Sequence, residues 1–72
     1  MKNRDVMCRE EAIKRYIKFM DITNNVYELE GLHNRAVNMM FYIASMRVYE
    51  EDKMESMYSE IHECYRKNLR RL

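Results

Sequence analysis

The chain has no proline, no tryptophan and a single glycine, Gly31, in 72 residues. Proline and glycine punctuate strands, hairpins and loops, so a chain nearly free of both is expected to be all-α. Cysteine is scarce too. Cys8 and Cys64 are too few for the disulfide framework of a small secreted domain, and both are expected to be free thiols. The opening stretch MKNRDVMCREE holds no apolar run resembling a secretion signal, which points to the cytoplasm. An excess of one charge is also missing: 13 Lys and Arg against 12 Asp and Glu leave a net charge of +1. A dedicated nucleic-acid binder is usually far more basic. The longest apolar stretch falls short of the roughly 20 residues that cross a bilayer, so no membrane partner is expected.

Hydrophobic residues are 47% of the chain and charged ones 35%, a balance that folds. One domain over residues 1–72 is expected, of a size that buries only about 60% of its unfolded surface. Burial against a partner or a second copy would add stability. Eight methionines and six tyrosines stand out. Methionine fills irregular spaces and adapts to partners, and tyrosine brings a rigid ring with a polar tip. Five of these fourteen fall in Ala36 to Tyr49, AVNMMFYIASMRVY, where only Asn38, Ser45 and Arg47 are conventionally polar. A helix apolar nearly all round is enclosed by other elements or by a partner chain, so this stretch is expected to be the hub of a bundle.

The spacing predicts an antiparallel three-helix bundle with helices over about 5–30, 34–49 and 53–71. In the first helix Val6, Ile13, Ile17 and Met20, with Tyr16 beside them, form the inner stripe, and Asn3 or Asp5 is the N-cap. Thr23, Asn24 and Asn25 are poor helix formers, and Asn25 with Glu28 has capping-box spacing, so a bend or restart is expected there. The helix is expected to end at Glu30, with Gly31 in the left-handed position beyond it. Asp52 and Glu55 suggest the cap of the third helix, whose period is the clearest: Met54, Met57, Tyr58, Ile61, Cys64, Tyr65, Asn68, Leu69. The alternative is a helical hairpin whose long second helix covers 32–72 and which must dimerise to bury the hub.

Charge is distributed unevenly. Residues 1–18 hold six basic and three acidic groups, 50–63 one basic and six acidic, and 64–72 four basic and none acidic. In an up-down-up bundle this sets Lys2, Arg4 and Arg9 near Glu50, Glu51 and Asp52, and the basic C-terminus near Glu28 and Glu30. Exposed pairs of this kind contribute about 0 to 1 kcal/mol each, so they select a topology more than they stabilise it.

No catalytic constellation is present. Glu10 with Glu11 and Glu50 with Glu51 and Asp52 are adjacent acids on solvated helix surfaces, without the cleft that acid-base catalysis needs. Neither cysteine has a base at helical spacing. Cys8, His33, His62 and Cys64 are the only candidate zinc ligands; His62 and Cys64 face different ways, and Cys8 is expected at the far end of the bundle. No enzyme activity, cofactor or metal is expected. The leading functional expectation is a non-enzymatic module, a regulator, adaptor or inhibitor, that binds another protein or itself through Met39, Met40, Tyr42, Met46, Tyr49 and Tyr58. The alternative is nucleic-acid contact through Tyr65, Arg66, Lys67, Arg70 and Arg71, although cations in the last turn of a helix are also favoured by its dipole.

Two short stretches resemble known helical families. Glu55-Ser56 and Tyr65-Arg66 are similar to the second helix of a plasmid RNA-binding dimer, and Phe41, Tyr42, Ala44, Glu51 and Met54 to a segment of a nucleoid-modulator family. Two unrelated families matching equally well indicates shared helix composition, so no property is carried over from either.

Overall fold

A computed structural model describes residues 2–72. It contains three helices, α1 (Lys2–Ile22), α2 (Val26–Ser45) and α3 (Glu51–Arg71), and no strand among the described residues. All three pairs of helices pack together, α1 and α3 least. The chain runs up, down and up. Cys64 and Arg71 of α3 meet Ile17 and Met20 of α1 in the same order, whereas Arg9 and Glu10 of α1 meet Met39 and Tyr49 near and beyond the far end of α2.

One interior serves all three helices. Val6, Ile13 and Met20 come from α1 at seven-residue intervals; Leu29, Leu32, Ala36, Met40 and Ile43 come from α2; Ile61 and Cys64 come from α3. The bundle measures 39 × 21 × 14 Å along its principal axes, and α2 packs against each of the other two helices more extensively than they pack against each other. A helix flanked on two sides keeps its remaining surface in contact with solvent. That is why Phe41 and Tyr42 of the hub stay 58% and 47% exposed while Met40 and Ile43 are buried.

The expected 5–30 helix is in fact two elements. α1 begins before Asp5, so Asn3 and Asp5 are not caps, and it ends at Ile22 rather than Glu30. Asn25 is the N-cap of α2: its side-chain oxygen accepts from the backbone N–H groups of Tyr27 at 2.8 Å and Glu28 at 3.1 Å. Glu28 does not complete the reciprocal half of a capping box. Its carboxylate accepts the Thr23 hydroxyl instead, and the Asn25 N–H turns to Thr23 Oγ1 at 3.3 Å. Three polar groups thus stabilise the break.

Gly31 therefore lies inside α2, without the left-handed backbone expected of it. A glycine within a helix costs about 1 kcal/mol relative to alanine, and the burial of Leu29, Leu32 and Ala36 around it outweighs that. The left-handed residue is Arg47, φ 56°, in the turn after α2, where its N–H reaches Ala44 O at 3.1 Å. The hub helix consequently ends at Ser45, and Met46 to Tyr49 form part of the connection to α3. Glu50, not Asp52, occupies the N-cap of α3, with no side-chain cap. Glu51 and Asp52 sit in the first turn, where negative charge suits the helix dipole. The break between α2 and α3 rules out the continuous helix of the alternative hairpin.

Candidate interaction surface

Two regions combine polar chemistry or exposed apolar surface with a defined shape. The first is a polar knot where the C-terminal half of α3 meets the end of α1. Asn68, 2% exposed, donates from Nδ2 to Asp21 Oδ1 at 2.8 Å and to Cys64 O at 2.9 Å, and its own Oδ1 accepts from Arg71 Nε at 2.9 Å. Arg71 also donates to Thr23 O at 2.8 Å and Met20 O at 3.3 Å, satisfying carbonyls that the last turn of α1 leaves without helical partners. Lys67 pairs with Asp21 at 3.1 Å. The Asn68 hydrogen bond, with help from Lys67, holds the Asp21 carboxyl below the usual carboxylate range. Burial, and then the nearby Asp21 carboxylate, push the Cys64 thiol up, so it stays protonated and unreactive.

Two of the four cations in the basic tail, Lys67 and Arg71, are thus engaged with α1. Their partners are Asp21 and backbone carbonyls, not the expected Glu28 and Glu30. Arg66 and Arg70 are exposed and border the cleft between α1 and α3, and Tyr65 is half-buried against His33, ring centroids 4.3 Å apart. At the other end of the bundle the expected meeting of Arg9 with Glu50 to Asp52 does not form. Arg9 pairs with Asp5 at 3.4 Å and lies over the Tyr42 ring at 3.6 Å.

The second region is a shallow groove of about 470 Å³ between the C-terminal half of α2 and the first turns of α3. Met40, Ala44 and Met54 lie along its floor, Phe41 and Tyr58 rise from its walls, and Glu51 and Glu55 rim it. Among the residues expected to contact a partner, Tyr58 belongs to this groove, its ring stacked on His62 with centroids 5.7 Å apart. Met40 is a correction: at 4% exposure it is core, and it supports the groove without being presented to a partner. Tyr42 is exposed but carries the Arg9 guanidinium. Met39 is half-buried, its sulfur 3.4 Å from Arg9 Nη1. Met46 caps α2 and is half-buried. Tyr49 donates its hydroxyl to Glu10 at 2.5 Å, which raises its pKa and fixes the turn to α1. Met39 and Tyr49 reach α1 rather than the groove, and Met46 does not line it.

Phe41 and the Glu51–Glu55 rim were outside the expected contact set, although Phe41 lies at the centre of the hub. The signal that finds them is register: in an antiparallel pair the position after Met40 must look toward the start of α3. The same register brings the half-buried His33 and His62 together, ring centroids 6.0 Å apart. Burial lowers the His33 pKa, and the nitrogens His33 Nε2 and His62 Nδ1 are enclosed without a hydrogen-bond partner. No group of three His, Cys, Asp or Glu among the described residues could hold a metal ion. A further apolar cluster, Phe19, Ile22, Val26 and Tyr27, surrounds the α1–α2 turn, with Ile22 70% and Tyr27 81% exposed. No helix among the described residues is long and apolar enough to cross a membrane.

No family model, curated protein or solved structure matches the chain.

Proposed function

We propose that this protein is a small non-enzymatic binding module of the cytoplasm, and that it acts by engaging a protein helix in the groove between α2 and α3. The observation that carries this reading is the pairing of exposed Phe41 and Tyr58 above a floor of Met40, Ala44 and Met54. Aromatic walls over a methionine floor give large contact area and an adaptable fit, the properties of helix-in-groove recognition. The alternative, nucleic-acid contact by the tail, draws less support, because Lys67 and Arg71 are committed to α1.

Phe41→Glu tests the reading. The substitution falls on an exposed position and leaves the helical content intact, as circular dichroism would verify. A protein captured by the wild-type chain from its native source, then purified, is expected to bind Phe41→Glu at least about tenfold more weakly, the loss of a central aromatic anchor being typically 2 kcal/mol or more. Equal affinity for both chains would sink the groove. A salt-sensitive affinity for DNA or RNA that survives Phe41→Glu but disappears on changing Arg66 and Arg70 to alanine would move the function to the tail.

A further inference from the structure

The sequence of α3 is split by charge. From Glu51 to Glu63 it carries five acidic residues and one basic, and from Cys64 to Arg71 four basic and none acidic. One stripe carries this split along the helix, exposed except at the half-buried His62. Glu51, Glu55, Tyr58, His62, Arg66 and Leu69 follow one another at intervals of three and four, the spacing of a single helix face. Ile61, Cys64 and Asn68 occupy the opposite, buried side. Lys67 and Arg71 bond to α1, so the exposed cations without an α1 partner are Arg66 and its neighbour Arg70, which border the α1–α3 cleft; the exposed anions of the first half are Glu51, Asp52 and Glu55, with Glu60 and Glu63 following them.

We propose that this face is a homodimer interface in which α3 of one copy packs antiparallel against α3 of a second about a two-fold axis. The register that sets position 51 against 70 also sets 55 against 66, since both pairs are centred between residues 60 and 61. A two-fold interface requires that if i meets j then j meets i, and this stripe satisfies that condition with opposite charges at both ends. Tyr58 and His62 of the two copies meet near the axis, and Leu69 of each copy lies over the Met54 side of the other's groove. A partner of uniform charge is disfavoured: duplex DNA or a basic peptide would meet like charge along half of the stripe. The proposal rests on the reading of the groove as a binding surface and names a second copy of this chain as its occupant.

The test is sedimentation equilibrium of the full chain and of two charge-reversed variants, Glu51→Lys/Glu55→Lys and Arg66→Glu/Arg70→Glu. The wild type is expected to dimerise, with a dissociation constant that rises at least about tenfold between low and high salt as the charges are screened. Each variant alone makes the stripe one sign throughout and is expected to stay monomeric. Their equimolar mixture restores opposite charges at both ends and is expected to recover the dimer. Equal thermal unfolding of the two variants monitors the fold, and the milder Arg66→Gln/Arg70→Gln is expected to weaken the dimer without abolishing it. A wild type that stays monomeric, or a mixture that fails to associate, overturns the proposal. A dimer indifferent to both charge reversals but broken by Phe41→Glu also overturns the α3 pairing, while leaving the groove reading standing. A dimer that obeys the charge rules but ignores Phe41→Glu supports the pairing and removes Phe41 from it.

Discussion

The two ends of α3 solve opposite problems. Its C-terminal half enters a polar knot in which Asn68, Asp21, Cys64 and Arg71 hydrogen-bond to one another and Arg71 closes the carbonyl end of α1. Its N-terminal half borders an apolar groove whose Phe41 and Tyr58 remain open to water. Basic residues that look like a nucleic-acid tail are partly structural, and aromatic residues that look like core filling are partly surface. Residue type is thus a weak guide to role in a three-helix bundle. Whether a third element covers the position decides it.

The largest expected effect separates the core beneath the groove from its wall. Ile43 and Phe41 lie two residues apart on α2, the first fully buried and the second exposed. Ile43→Ala should cost about 2–5 kcal/mol in urea unfolding, whereas Phe41→Ala should stay within about 0.5 kcal/mol. Similar costs for the two would mean that Phe41 is core and that the groove is closed.

The knot comes next. Asn68→Ala leaves Asp21, the Cys64 carbonyl and Arg71 each short of a partner in a poorly hydrated site, and should cost about 1–3 kcal/mol. Within the tail, Arg71→Ala should cost about 1–2 kcal/mol and Arg70→Ala almost nothing, since only the former caps α1. If urea midpoints show no difference between Arg70 and Arg71, the tail has no structural role.

A stabilising pair sharpens the contrast between the two connections. Adding a Cβ at Gly31 meets nothing within 4 Å, while Arg47 holds the left-handed backbone that glycine adopts freely. Gly31→Ala combined with Arg47→Gly should therefore raise stability by about 1–2 kcal/mol, read as a higher thermal midpoint. A lower midpoint would place a packing constraint at one of the two sites.

The smallest effect is on pH. Burial lowers the His33 pKa beneath its ordinary 6.5, so below 6.5 the unfolded chain binds more protons than the folded one. The contribution of neutral His33 is present above that pH and is lost as pH falls through it, with a slope of at most about 1.4 kcal/mol per pH unit. His33→Gln should flatten the decline in stability between pH 6.5 and the acid limb.

Much of the fold is legible in the chain because helix periodicity depends only on neighbouring residues. Val6, Ile13 and Met20 at seven-residue spacing, and Ile61, Cys64 and Asn68 after them, mark the inner faces of α1 and α3 directly. The boundaries were less legible, since Asn25 and Gly31 competed as signals for the same break. Asn25 prevailed because its cap satisfies two backbone donors and Thr23 and Glu28 reinforce it, whereas Gly31 offers only freedom that a well-packed helix does not need. The end of α2 carried no glycine or proline at all, so nothing local announced the turn at Arg47. For the candidate site, Tyr58 was readable from its stripe. Phe41, Glu51 and Glu55 were not, because they become neighbours only through the register of α2 against α3.

An all-helical chain with one apolar hub and a third helix divided by charge is already written in the order of the residues, since propensity, periodicity and local charge depend only on near neighbours along the chain. Tertiary structure alone decided which parts of that hub are covered. With α1 and α3 as its two neighbours, α2 has Met40 and Ile43 enclosed and Phe41 left facing water beside Tyr58. It also decided that Lys67 and Arg71 belong to α1, because only the parallel approach of α1 and α3 brings the end of one helix to the cations of the other.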